Sequence, residues 1–189
     1  MTAITVAVPA HPARIQSRLL QRALQSVLYQ TYPAAGVSLA MDLTRAGAPA
    51  TRQRALDGVT TPLVAFLDSD DYFDPDHLES LYGCMQDTGA DYVFSYWHGP
   101  DFLGHFGKEF DPADPVETTI TILVRTELAK QVGFQAIPDR LENTGEDRRM
   151  TLGCIELGAK IVHLPKRTWT YGMHGQNSSG LPTKGDAAA

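Results

Sequence analysis

Four short apolar runs constrain this chain more than anything else in it. They are ITVAV at 4–8, VSLAM at 37–41, LVAFL at 63–67 and DYVFSYW at 91–97. β-Branched and aromatic residues crowd them, which is the composition of strands. The segments between them carry apolar residues at helical spacing. Leu19, Leu20, Ala23, Leu24, Val27 and Leu28 form one such stripe, closed by TYP at 31–33. GAPATRQRALDG reads as a loop entering a helix that stops near Gly58. Asp74, with Pro75 behind it, reads as the cap of a helix reaching to about Thr88. Strand and helix therefore alternate through residues 4–97. That pattern predicts an α/β fold, a mostly parallel, Rossmann-like sheet flanked by helices. In such sheets ligands bind at the carboxyl ends of the strands. Pro9, Ala10 and His11, then Asp42, then Asp68 to Asp71 all fall at such ends and can face one cleft.

The second half is less regular. HGPDFLGHFGKEFDPADP, at 98–115, reads as a long loop. A strand at Thr118–Val124, a short helix at Glu127–Val132, a helix at Glu146–Leu157 and a strand at Lys160–Leu164 follow, with a polar tail from Trp169 onward. No internal repeat is present. The expectation is one compact domain over 1–180 and a flexible tail at 181–189.

DSDD at 68–71 follows a wholly apolar strand, so three carboxylates crowd the rim of a buried sheet. A divalent cation relieves their repulsion, and hard oxygen ligands suit Mg²⁺ or Mn²⁺. The plain alternative is a strand-end cap and a solvated turn. An EF-hand is excluded, because Tyr72 stands where a ligand belongs and Phe73 where the loop needs Gly. A phosphatase with a nucleophilic aspartate fits poorly, since its motif usually ends the first strand and this one ends the third.

The order VAVPAHPAR, LLQRALQSVLYQTYP, GAPATRQRAL, VAFLDSDDYFDPDHL and GEDRRMTLGCIELGAKIVHLP resembles a family 2 glycosyltransferase. The resemblance covers roughly residues 4–180, and the closing YGMHGQNSSGLP is similar to the tails of short actinobacterial and phage-encoded members. It implies the GT-A fold and a nucleotide-diphosphate sugar, with a UDP-sugar favoured, as donor. It also implies site residues. Pro9, Ala10 and His11 line the base pocket, and Asp42 accepts a base N–H. The family's usual DDGS is replaced here by MDLTRAG. Arg52 takes the arginine of the family's aRN motif, with Gln53 in place of Asn, and approaches the base or diphosphate. Asp68 and Asp70 form the DxD. Asp70 is the direct metal ligand, Asp68 contacts ribose or supports the metal, Ser69 lies between them, and Asp71 stands behind. Asp147 becomes the general base of an inverting transfer, with Glu146 beside it. His174 becomes a third metal ligand or a diphosphate contact.

Each of these residues also has a plainer reading. Arg52 on a helix can simply be solvated. Glu146 and Asp147 in a helix's first turn interact favourably with its dipole. Arg14, Arg18 and Arg22, four apart, share one helix face that either stays solvated or meets nucleotide phosphates or a polyanionic acceptor. Trp97, His98, Phe102, His105 and Phe106 are candidate acceptor contacts, or they pin a loop to the core, and Asn177 and Ser178 of the tail are candidate hydrogen-bond donors to phosphate or acceptor. The acceptor class stays open among a modified DNA base, a protein and a glycan.

Bulk properties narrow the choices. The net charge of −6 argues against sequence-independent nucleic-acid binding. The two cysteines, Cys84 and Cys154, lack metal-ligand spacing and read as reduced thiols. Neither a basic leader nor a membrane-length apolar run is visible, so the expected location is the cytoplasm, that of a host if the chain is phage-encoded. Two other functional classes remain: a non-catalytic nucleotide-sugar or glycan-binding module, and a GT-A-like nucleotidyltransferase. The latter needs a Gly-rich, basic loop after the first strand, which VPAHPAR does not supply.

Overall fold

The alternation is realised. The computed structural model describes residues 2–16, 18–99, 106–113, 115, 121–134 and 145–172. Strand β1 (Ile4–Ala10) leads through α1 (Ala13–Gln16) and α2 (Arg18–Leu28) to β2 (Gly36–Met41). Helix α3 (Gly47–Asp57) leads to β3 (Leu63–Phe66) and the two-residue β4 (Tyr72–Phe73). Then come α4 (His77–Thr88), β5 (Tyr92–Trp97), β6 (Ile122–Arg125), α5 (Thr126–Val132), α6 (Glu146–Glu156) and β7 (Ile161–Thr170).

Among the described residues the sheet has seven strands in the order β2-β1-β3-β6-β5-β7-β4. β1 pairs in parallel with β2 and β3, and β5 in parallel with β7. β6 is antiparallel to both β3 and β5, and β4 is antiparallel to β7. Five strands thus share one direction, and the sheet is mostly but not purely parallel. β1, β3 and β5 are buried along their whole length, as strands covered on both faces must be. Their apolar side chains join Leu56, Leu78, Leu81 and Met150 of the flanking helices in one core.

Register places the site. Ala10 lies opposite Met41, and Ala7 opposite Phe66. His11, Asp42 and Asp68 therefore leave the sheet together at one carboxyl edge.

The elements depart from expectation in three places. Helix α4 starts at His77 with Asp76 at its N-cap, two residues beyond the expected Asp74 cap. The Asp74 carbonyl instead accepts the His77 N–H in the preceding turn. Of the strand expected at Thr118–Val124, residues 118–120 lie outside the described residues, and β6 ends one residue later, at Arg125. β7 continues past Leu164 to Thr170, so Trp169 belongs to the sheet and not to a tail. It passes Pro165 by bulging: Phe94 faces His163, but Tyr96 already faces Arg167. A bulge is where a strand interior tolerates proline. Phe102, His105, His174, Asn177, Ser178 and the tail at 181–189 lie outside the described residues. Among the described residues no helix is long and apolar enough to cross a membrane.

Candidate active site

A cleft of about 520 Å³ opens at the shared carboxyl edge. Pro9, Ala10 and His11 from the end of β1, Asp42 after β2, Arg52 on α3, and Asp68, Ser69 and Asp70 after β3 all line it. Every residue expected to hold a nucleotide-sugar is therefore gathered in one place. Ala13, Arg14, Gly47, Ala48 and Thr51 complete the walls.

Asp42 explains how one wall is built. Helix α3 begins after Ala46, a residue without a capping side chain. Asp42 supplies the missing acceptors. Oδ1 takes the Ala46 N–H at 2.8 Å and Oδ2 the Gly47 N–H at 3.1 Å. Burial works to raise its pKa, but these two bonds and the nearby Arg54 outweigh burial and hold it below the ordinary carboxylate value. The same carboxylate that lines the cleft thus fixes the start of the helix that carries Arg52.

Arg52 is 8% exposed and clamped between two acids. Nη2 donates to both oxygens of Asp68, at 2.8 and 2.7 Å, and Nη1 donates to Glu146 Oε1. Burial alone lowers an arginine's pKa; the Asp68 and Glu146 charges reverse that and raise it. Glu146 is itself raised, first by burial, with Arg52 opposing. Gly145, with φ of 93°, turns the chain into α6, so Glu146 and Asp147 open its first turn. The ion pair ties that turn to Arg52, and the Asp147 charge acts on both Arg52 and Glu146; the residues that line the cleft include neither Glu146 nor Asp147. Asp147 Oδ1 accepts the Arg148 N–H at 2.8 Å.

The aspartate loop is held from two sides. Asp71 N–H donates to the Asp68 carbonyl at 3.1 Å. Tyr72 and Phe73 then pair with Thr170 and Trp169 of β7. Asp71 is 3% exposed and accepts the Gly172 N–H at 2.8 Å. Burial, reinforced by the Asp68 charge, pushes its pKa up. Asp70 points to the cleft, with Oδ2 at 3.2 Å from Arg14 Nη2.

Residues 41–102 match the family profile "Glycosyl transferase family 2". The matched segment holds Asp42, Arg52 and the whole DSDD loop. Solved structures of S. aureus TarS share the fold. The chain superposes on TarS 1–349 with a TM-score of 0.68 at 18% identity, covering 89% of this chain and 60% of that one. On the complex with UDP-GlcNAc the TM-score is 0.71 at 16% identity, covering 93% and 60%. On a longer TarS structure it is 0.69 at 17% identity, covering 90% and 37%. The chain therefore spans 60% of the shorter TarS chain, and what the two share at such identity is the GT-A fold. A comparison with curated proteins found no match.

Among the described residues no three His, Cys, Asp or Glu side chains gather as a metal cage. Asp68 gives both oxygens to Arg52, and Asp70 pairs through Oδ2 with Arg14; of the two, Asp70 is the carboxylate that would hold a cation, in competition with Arg14. Mg²⁺ commonly binds through one or two carboxylates and completes its shell with water and substrate phosphates. Asp70 on the cleft wall fits that mode. Trp97 and His98 do not line the cleft. Trp97 is 8% exposed, stacked on Tyr96 and packed against Trp169, while His98 Nε2 meets Asp74 Oδ2 at 2.5 Å. Sequence reading missed Thr51 and Gly172. Thr51 adjoins Arg52 in ATRQRAL and lay within reach; nothing in YGM marks Gly172.

Proposed function

We propose that this chain is an inverting glycosyltransferase that moves a sugar from a nucleotide-diphosphate sugar, a UDP-sugar by preference, to an acceptor hydroxyl. One observation carries this reading. The cleft gathers the ends of three parallel strands with Arg52 and the DSDD loop, and Arg52 draws in the acidic start of α6. TarS, of the same fold, is solved with UDP and with UDP-GlcNAc, which favours a uridine donor.

The base and ribose lie against Pro9–His11 and Asp42, and the diphosphate lies towards Asp70. Asp147 accepts the proton of the acceptor hydroxyl. The acceptor oxygen bonds to the anomeric carbon as the bond from that carbon to the β-phosphate oxygen breaks. The electron pair leaves on the nucleoside diphosphate. A single displacement inverts the anomeric centre. Asp70 would hold a divalent cation, Mn²⁺ or Mg²⁺, which would supply positive charge to the departing diphosphate. Glu146 and Arg52 hold the start of α6 so that Asp147 faces the acceptor side.

Thermal-shift measurement with a panel of nucleoside diphosphates, with and without Mn²⁺, tests the donor site. Ligand at about a hundred times Kd adds about 2.7 kcal/mol. UDP with Mn²⁺ is expected to raise Tm, and Asp70→Ala to remove the metal-dependent part. Asp147→Asn is expected to keep the shift and lose transfer. If no nucleotide shifts Tm in either condition, the donor-site reading fails; full transfer by Asp147→Asn removes that residue as base.

A further inference from the structure

Two arginines converge on Asp70. Arg14, on the short α1 just after β1, puts Nη2 at 3.2 Å from Asp70 Oδ2, with its side chain 14% exposed on the cleft wall. Arg22, on α2, donates from Nη2 to the Asp70 backbone carbonyl at 3.4 Å. Its guanidinium rests on the Tyr72 ring, 4.1 Å from the centroid. One arginine thus meets the carboxylate and the other holds the backbone behind it. Asp70 is also the carboxylate placed to take a divalent cation. A cation bound there competes with Arg14 for the same oxygens. A guanidinium matches phosphate geometry as well as carboxylate geometry, so its alternative partner is close at hand.

We propose that Arg14 is a phosphate-binding residue that exchanges partners. It pairs with Asp70 in the empty cleft and with the donor's diphosphate in the filled one. This rests on the reading of the cleft as a nucleotide-sugar site. Arg14 then gives the cleft a positive charge of its own, so part of diphosphate binding survives removal of metal and depends on this side chain. Asp70 keeps that guanidinium at the cleft wall until the diphosphate arrives.

Titration calorimetry of the full chain with UDP and with uridine, in EDTA and in Mn²⁺, tests the assignment. If the wild type prefers another base, its diphosphate and nucleoside replace them. In EDTA, Arg14→Gln is expected to weaken UDP binding by about tenfold, the scale of one charge-assisted contact. Uridine binding stays unchanged, and Arg14→Lys falls between. The double variant Arg14→Gln/Asp70→Asn separates contact from simple neutralisation of Asp70. It stays weak for UDP if Arg14 touches phosphate, and full recovery overturns the assignment. Equal weakening of UDP and uridine also overturns it, since that marks a structural role. Circular dichroism confirms that each variant is folded. UDP binding unaltered in Arg14→Gln rejects Arg14 alone; a wild type that binds no nucleoside diphosphate at all removes the donor site and this exchange with it.

Discussion

Arg52 ties together two carboxylates from opposite halves of the chain, Asp68 after β3 and Glu146 at the start of α6. Arg52 and Glu146 are both buried, while the Asp68 side chain is partly exposed. Removing one member of such a group leaves a buried charge uncompensated, at a cost of about 3–5 kcal/mol. Arg52→Met is therefore expected to lose stability of that order in urea unfolding at pH 7, and Glu146→Gln added to it to restore part of the loss. Arg52→Lys keeps the charge but not the planar fork, and one ammonium cannot span both acids. It is expected to fall between wild type and Arg52→Met. The motif resemblance marked Arg52, Asp68, Glu146 and Asp147 as a set in the sequence. Their mutual pairing was not legible there. Ninety-four residues separate Arg52 from Glu146, and spacing along a chain says nothing of distance across a fold. The same is true of Asp42, whose bonds to Ala46 and Gly47 depend on how the turn closes.

At the scale of elements, the aspartate loop is shaped by a strand that sequence periodicity cut short. Pro165 breaks the alternation of β7, so the pattern appeared to stop at Leu164, yet the strand bulges and runs on to pair with Tyr72 and Phe73. Just beyond it, a Cβ on Gly172 would stand 1.9 Å from the Asp70 carbonyl oxygen. Backbone meets backbone there, so nothing swings aside. Gly172→Ala must displace either the end of β7 or the DSDD loop, and overpacking of this kind costs about 1–3 kcal/mol. The expected outcome is a lowered Tm together with a weakened Mn²⁺-dependent UDP shift, read in one thermal-shift series. A variant with wild-type Tm and wild-type shift would show that the close approach does not shape the loop. The strands and helices of the first half were readable because each keeps its own period over several residues. β4 was not, since two residues carry no period.

The molecule as a whole carries its acid sensitivity in its core. His77 is fully buried, stacked on Phe73 at 3.9 Å, with Nδ1 at 2.7 Å from Thr168 Oγ1. Burial pushes its pKa down to about 3 from 6.5. The unfolded chain takes up a proton below pH 6.5 that the native state refuses. Stability from this residue is thus complete above pH 6.5 and is lost as pH falls through 6.5 towards 3. The loss is about 2 kcal/mol between pH 7 and pH 5. Chemical unfolding at the two pH values measures it, and His77→Gln is expected to flatten the difference. The sheet class was legible at this scale because buried parallel strands read as unbroken apolar runs. The antiparallel insertion of β6 was not, because direction is set by the route of a connection and not by composition. That topology has a consequence for assembly during synthesis. The aspartate loop is finished by pairing with residues about a hundred positions later in the chain. Strands β1 to β3 can collapse early on local contacts, but the aspartates remain unbraced until β7 docks. The aspartate loop therefore takes its final shape late in folding, and a nascent chain halted before β7 holds the motif without its brace.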